Sequence, residues 1–153
     1  MKRRLACYLV LVLALGCLGM GKRASKHIVS FHVETDPDFA ASKRVFEWPG
    51  GSGIFYEKSP TIHHRQISAF AAFDGDDGGW GTVFRLTTGG RNALHAATQA
   101  HPGKYMLAIV QGEPRAITKI DRFKDDGQIV IWEKLKPEDM EVFEKNFSQF
   151  EGR

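Results

Sequence analysis

Cysteine is nearly absent from this sequence of 153 residues. There are two, Cys7 and Cys17, and both fall within the first 17 positions. No disulfide framework can therefore hold the remainder together, which leaves the task to a hydrophobic core that a chain of this length can build. A membrane-spanning hydrophobic run is missing too. The uncharged apolar stretch from Leu5 to Leu15 is shorter than the about 20 residues that a spanning helix needs. Behind a positive start of Lys2, Arg3 and Arg4, it has the form of an export signal.

The excess of positive charge disappears with that signal. Of 21 Lys and Arg, three lie in residues 1–17, and none of the 18 Asp and Glu do, so the remainder carries 18 of each sign. A formally neutral exported chain lacks the electrostatic footprint of a nucleic-acid binder. The signal ends at Leu13-Ala14-Leu15-Gly16-Cys17, which places a cysteine after a small residue, as bacterial lipoprotein signals do. Leu15 stands where a small residue is commoner. Lipidation of Cys17, cleavage near Gly21 and an uncleaved anchor all remain open. The expected organisation is an export signal over 1–17, a tether over 18–26 and a single domain over 27–153. The expected location is outside the cytoplasm, periplasmic or attached to the envelope, with membrane contact through a lipid or the signal itself.

Catalytic constellations are also lacking. No serine has a nucleophile-elbow context, and no cysteine outside the signal can act as a nucleophile. His63 and His64 would point about 100° apart if they sat on the short helix expected over Thr61–Ile67, a poor arrangement for shared metal ligation. His95 and His101, six apart, share no helix face. Asp74, Asp76 and Asp77 lack the terminal bidentate glutamate of a calcium loop and read as a solvated hairpin loop. Thr88-Gly89-Gly90-Arg91 at a helix start could hold an anion through backbone N–H groups, but it lacks the lysine and length of a phosphate loop. The expectation is no catalytic residue, no metal site and no cofactor.

What is present is alternation and punctuation. Val29, Phe31 and Val33 alternate with polar neighbours, which predicts a strand. Residues 36–43 read as loop or weak helix, and Trp48-Pro49-Gly50-Gly51 breaks any element before a short strand at Ile54–Glu57. Ser68–Phe73 and Trp80–Leu86 read as a hairpin around the Asp-Gly run, with Trp80, Thr82, Phe84 and Leu86 on one face. Thr87 or Thr88 caps a helix over Gly89–Ala100 whose apolar stripe is Ala93, Leu94, Ala96, Ala97 and Ala100. Tyr105–Val110 is the unbroken apolar run of a strand buried on both faces, with Ile109 at its centre. Arg115–Asp121 and Gln128–Glu133 continue as a meander. Lys136-Pro137-Glu138-Asp139 opens a last helix carrying Met140, Phe143 and Phe147. The fold class is α+β: one small domain, a mixed or antiparallel sheet with two main helices packed on it.

The stretch 55–147 resembles the periplasmic head subdomain of the protein-export subunit SecD. The resemblance rests on the order and spacing of Tyr56-Glu57-Lys58-Ser59-Pro60, Val83-Phe84-Arg85-Leu86-Thr87, Gly90-Arg91-Asn92-Ala93-Leu94 and Thr98. It continues through Leu107-Ala108-Ile109-Val110 turning at Gly112, Ala116-Ile117, Gln128-Ile129-Val130-Ile131 and Glu138-Asp139. SecD also carries several transmembrane helices and membrane-embedded acidic residues, which this chain lacks after its signal, so proton-driven translocation is not implied. The resemblance implies a free-standing head-like module that contacts exported or envelope polypeptides. Its contact surface is expected at exposed strand edges or at an aromatic patch of Trp48, Phe55, Tyr56 and Trp80, the residue types that dominate binding hot spots. A small-ligand or metal-dependent envelope enzyme and a purely structural envelope lipoprotein are the competing classes.

Overall fold

The computed structural model describes residues 27–76, 78–120 and 126–151; the expected signal with Cys7 and Cys17, the tether and Asp77 lie outside the described residues. Period-2 alternation produces strands first. They are β1 (Val29–Thr35), β2 (Val45–Glu47), β3 (Phe55–Glu57), β4 (Ile62–His63), β5 (Ile67–Asp74) and β6 (Trp80–Leu86). Helix α1 (Thr88–Ala100) is followed by β7 (Tyr105–Val110), β8 (Glu113–Lys119) and β9 (Gln128–Leu135), and α2 (Pro137–Asn146) by β10 (Ser148–Gln149).

The α+β architecture is divided over two sheets. One runs β2-β3-β1-β7-β8, with β4 also paired to β1; the other runs β10-β5-β6-β9. Every pairing is antiparallel except β10 with β5. The expected meander is therefore corrected. β8 returns from β7 through Gln111 and Gly112, whose φ angles of 51° and 84° fit the left-handed turn that matches strand twist. The next strand, β9, then leaves that sheet and pairs with β6.

The register of β1 with β7 decides which residues form the core. Val33, Phe31 and Val29 stand opposite Met106, Ala108 and Val110, and all six are in the main core cluster. His32 and Ser30 stand opposite Leu107 and Ile109 on the other face. Leu107 is fully buried there, but Ile109, expected at the centre of a strand covered on both sides, is only half-buried. On that face the β2–β3 hairpin brings Phe46 edge-on to His32 at 5.6 Å, beside Leu107 rather than Ile109. Neither β2 nor β10 is legible as a period.

Phe84 joins the layers. Its ring meets Phe31 of the first sheet at 6.1 Å and Phe143 of α2 at 5.1 Å, both edge to face. Helix α1 starts at Thr87, whose hydroxyl accepts from Gly90 N, and buries Gly90, Leu94, Ala97 and Thr98. Its apolar stripe is thus narrower than expected, with Ala96 and Ala100 exposed and Thr98 taken inside, its hydroxyl donating to the carbonyl of His95. The expected helix over Thr61–Ile67 is instead two residues of strand followed by one 3-10 turn at His64–Gln66.

Candidate functional site

The four aromatics expected to form one patch are distributed over two places. Trp48, Phe55 and Tyr56 lie on or beside the β2–β3 hairpin, whereas Trp80 opens β6 in the other sheet, 37% exposed and opposite Leu135 of β9. Tyr56 is wholly interior. Its ring lies 5.9 Å from Phe46, its hydroxyl has no hydrogen-bond partner among the described residues, and burial raises its pKa to about 12. It is a core residue rather than a contact residue; Trp48 and Phe55 are half-buried.

The other polar candidates have local explanations. Asp74 closes β5 against Trp80, and Gly75 N donates to Gly79 O at 2.9 Å in the hairpin loop that holds Asp76. Of the glycine pair in Thr88–Arg91, Gly90 serves packing. A Cβ on Gly90 would stand 2.6 Å from the carbonyl oxygen of Gln66, so only glycine lets α1 rest against the 3-10 turn. His101 ends α1, and His95 lies midway along it, half-buried.

Among the described residues, the most exposed large apolar side chain is none of those four aromatics. Trp132, 64% exposed, stands on β9 with its ring 6.0 Å from Phe73. It borders an apolar groove floored by Phe31, Leu94, Met106, Ile120 and Ile129. The groove runs where β8, the last strand of one sheet, comes beside β9, the last strand of the other. A signal existed: Ile129 and Ile131 mark the inward phase of β9, so Trp132 falls on the solvent phase, where a large apolar side chain is out of place.

A second cluster is made of histidine. Because β4 runs antiparallel to β1 with His63 opposite Ser30, the chain just before β1 returns to the end of β4. His27 thereby meets His63 and His64. Its ring stacks on His63 at 5.3 Å and tilts against His64 at 5.4 Å, and the Nδ1 atoms of His27 and His64 are 3.4 Å apart. Each residue offers a nitrogen, and the three nitrogens all lie within 4.8 Å of one another. The argument that two adjacent helical histidines diverge does not apply, since neither residue is on an α-helix. Desolvation, then the neighbouring His63 and Arg65, lowers the pKa of His64 and so favours its neutral form.

The turn that carries these rings is held from several sides. Gln66 Oε1 accepts from His63 N at 3.1 Å, His63 Nδ1 accepts from Arg65 N at 3.3 Å, and the Gln66 carbonyl accepts from Thr87 N at 2.9 Å.

Fold and surfaces together define a class: a two-sheet α+β domain with an aromatic-rimmed groove between sheet edges. No protein-family model and no curated protein matches the sequence. Among solved structures the fold is SecDF-like. With a TM-score of 0.55 and 14% identity, 75% of this chain matches 59% of a chain described as "Structure and function of a membrane component SecDF that enhances protein export". With a TM-score of 0.53 and 14% identity, 77% matches 18% of a chain described as "Crystal structure of SecDF in Super-membrane-facing form". The chain thus spans less than two thirds of either. No helix among the described residues is long and apolar enough to cross a membrane.

Proposed function

We propose that this chain is a non-catalytic exported binding module, periplasmic or envelope-associated, that contacts exported or envelope polypeptides as a head-like domain. The observation that carries the reading is the apolar groove between β8 and β9, rimmed by Trp132, in a fold similar to that of SecDF. The recess lies where the last strands of the two sheets come beside one another, and the exposed indole at its rim supplies apolar contact area at small entropic cost. This moves the expected contact away from Tyr56 and the β2–β3 hairpin. It favours an unfolded segment over a folded partner, because a small apolar recess beside an exposed indole takes a single apolar side chain, which an unfolded segment presents and a folded one buries.

Fluorescence anisotropy of a labelled, carboxymethylated, unfolded polypeptide titrated with the full-length chain tests the proposal, with the folded form of the same polypeptide as comparison. Saturable binding of the unfolded form alone is expected, weakened at least about tenfold by Trp132→Ala, the scale of a hot-spot truncation. Equal binding by the variant, or equal binding of the folded form, would refute it.

A further inference from the structure

We propose that His27, His63 and His64 form a binding site for a divalent transition-metal ion, zinc in the first instance. The proposal does not depend on polypeptide binding, and its failure would leave that reading untouched. These are three of the six histidines in the sequence, drawn from positions 36 residues apart and gathered at one corner by the β1–β4 pairing.

The geometry fits the ion. Two imidazole nitrogens bound to zinc at about 2.0–2.1 Å in a tetrahedral arrangement stand about 3.4 Å apart. The Nδ1 atoms of His27 and His64 are 3.4 Å apart, and with all three nitrogens inside 4.8 Å no pair has to close by more than roughly 1.4 Å, a movement within the reach of side-chain rotation. All three side chains are half-buried. The cluster is therefore accessible from solvent, and a water would complete four-coordination as the fourth ligand. An all-imidazole set suits zinc, copper, nickel or cobalt rather than magnesium or calcium, which prefer oxygen.

Binding exchanges two of the contacts that these rings make. Between neutral rings the 3.4 Å contact of His27 and His64 is an N–H···N hydrogen bond, and the metal replaces its proton. His63 gives up the weak 3.3 Å bond that its Nδ1 accepts from Arg65 N, whichever of its nitrogens ligates. Ligation through Nδ1 uses that lone pair, and ligation through Nε2 moves the ring proton to Nδ1. Most of the ordering has already been done by the Gln66 and Thr87 hydrogen bonds, which fix the turn without help from a cation. A bound ion would also pin His27, the first described residue, to the end of β4.

The probe is Zn2+ added to the tag-free, EDTA-stripped full-length chain. Calorimetry is expected to give one equivalent bound, and the Tm to rise with free Zn2+ concentration. The ring resonances of His27, His63 and His64 should move while those of His32, His95 and His101 stay in place, a reading that needs no variant. Substituted Co2+ should show the visible bands of a four-coordinate site. His27→Gln, His63→Gln and His64→Gln should each weaken Zn2+ binding at least tenfold, with circular dichroism confirming the fold, whereas His101→Gln should not. Absence of stoichiometric binding, resonance shifts centred on other histidines, or wild-type affinity in any one of the three variants overturns the site.

Discussion

His32 is a histidine whose protonation state is set by its neighbours. The carbonyl of Glu57 can only accept, so His32 Nδ1 donates to it at 2.7 Å; the neutral ring then accepts at Nε2 from the Ser30 hydroxyl at 2.9 Å. Burial lowers its pKa from the usual 6.5, against the smaller raising effect of the Glu57 carbonyl. A histidine held neutral in the fold binds fewer protons than the unfolded chain once the pH drops below 6.5. Stability is therefore expected to fall on acidification from that point, and to level off only below the lowered native pKa. His32→Asn, which keeps a donor near Glu57, should lose about 1–3 kcal/mol at neutral pH and flatten part of this slope. His64, lowered in the same direction, retains the rest. Urea midpoints measured between neutral and mildly acidic pH check this. A slope unchanged in the variant would remove His32 from the account.

At the scale of elements, Gly89 and Gly90 should behave in opposite ways although they are adjacent on α1. Alanine at either removes backbone freedom from the unfolded chain, worth about 0.4–1 kcal/mol where the site accepts a methyl group. Around Gly89 the nearest atom to a new Cβ is 3.9 Å away; at Gly90 the Gln66 oxygen stands at 2.6 Å. Gly89→Ala should therefore stabilise, and Gly90→Ala should destabilise by about 1–3 kcal/mol, the usual scale for overpacking. Equal denaturant midpoints for the two variants would show that α1 is not seated on the turn. The sequence made α1 legible through Thr87 and its stripe, but not its seat, because contact with Gln66 is tertiary. The β5–β6 hairpin was legible for a local reason: alternation on both sides of an Asp-Gly run. β4 has two residues and no period, and β9 has a clear period but a partner chosen by topology. The same distinction governs the sites. Trp132 could be read from the phase of its strand, whereas the histidine cluster requires knowing that β1 and β4 pair.

At the scale of the whole molecule, the two sheets are also joined by a polar link. Asp139, wholly buried in the first turn of α2, accepts from Arg115 Nε at 2.9 Å and Nη2 at 3.3 Å, from Lys136 N at 3.0 Å and from Gln111 Nε2 at 3.4 Å. Gln111 and Arg115 belong to the β7–β8 side of the first sheet, while α2 follows β9 of the second. One carboxylate thus caps a helix and neutralises an arginine from the opposite layer, whose own pKa is raised chiefly by that hydrogen bond. Breaking such a pair by removing one partner is costly because the other charge stays buried, on the order of 3–5 kcal/mol. Asp139→Ala is expected to lose that much in urea unfolding, and Asp139→Asn less, since an amide oxygen can still accept from Lys136 N. Arg115 would keep its 2.7 Å ion pair with the half-exposed Glu113, so removing the cation should recover only the part of the loss that comes from its missing buried partner. Arg115→Met made in the Asp139→Ala background should therefore cost much less than in the wild type, or even stabilise. If Arg115→Met cost the same in both backgrounds, the pair would contribute no coupling, and the link between the sheets would rest on their shared apolar core.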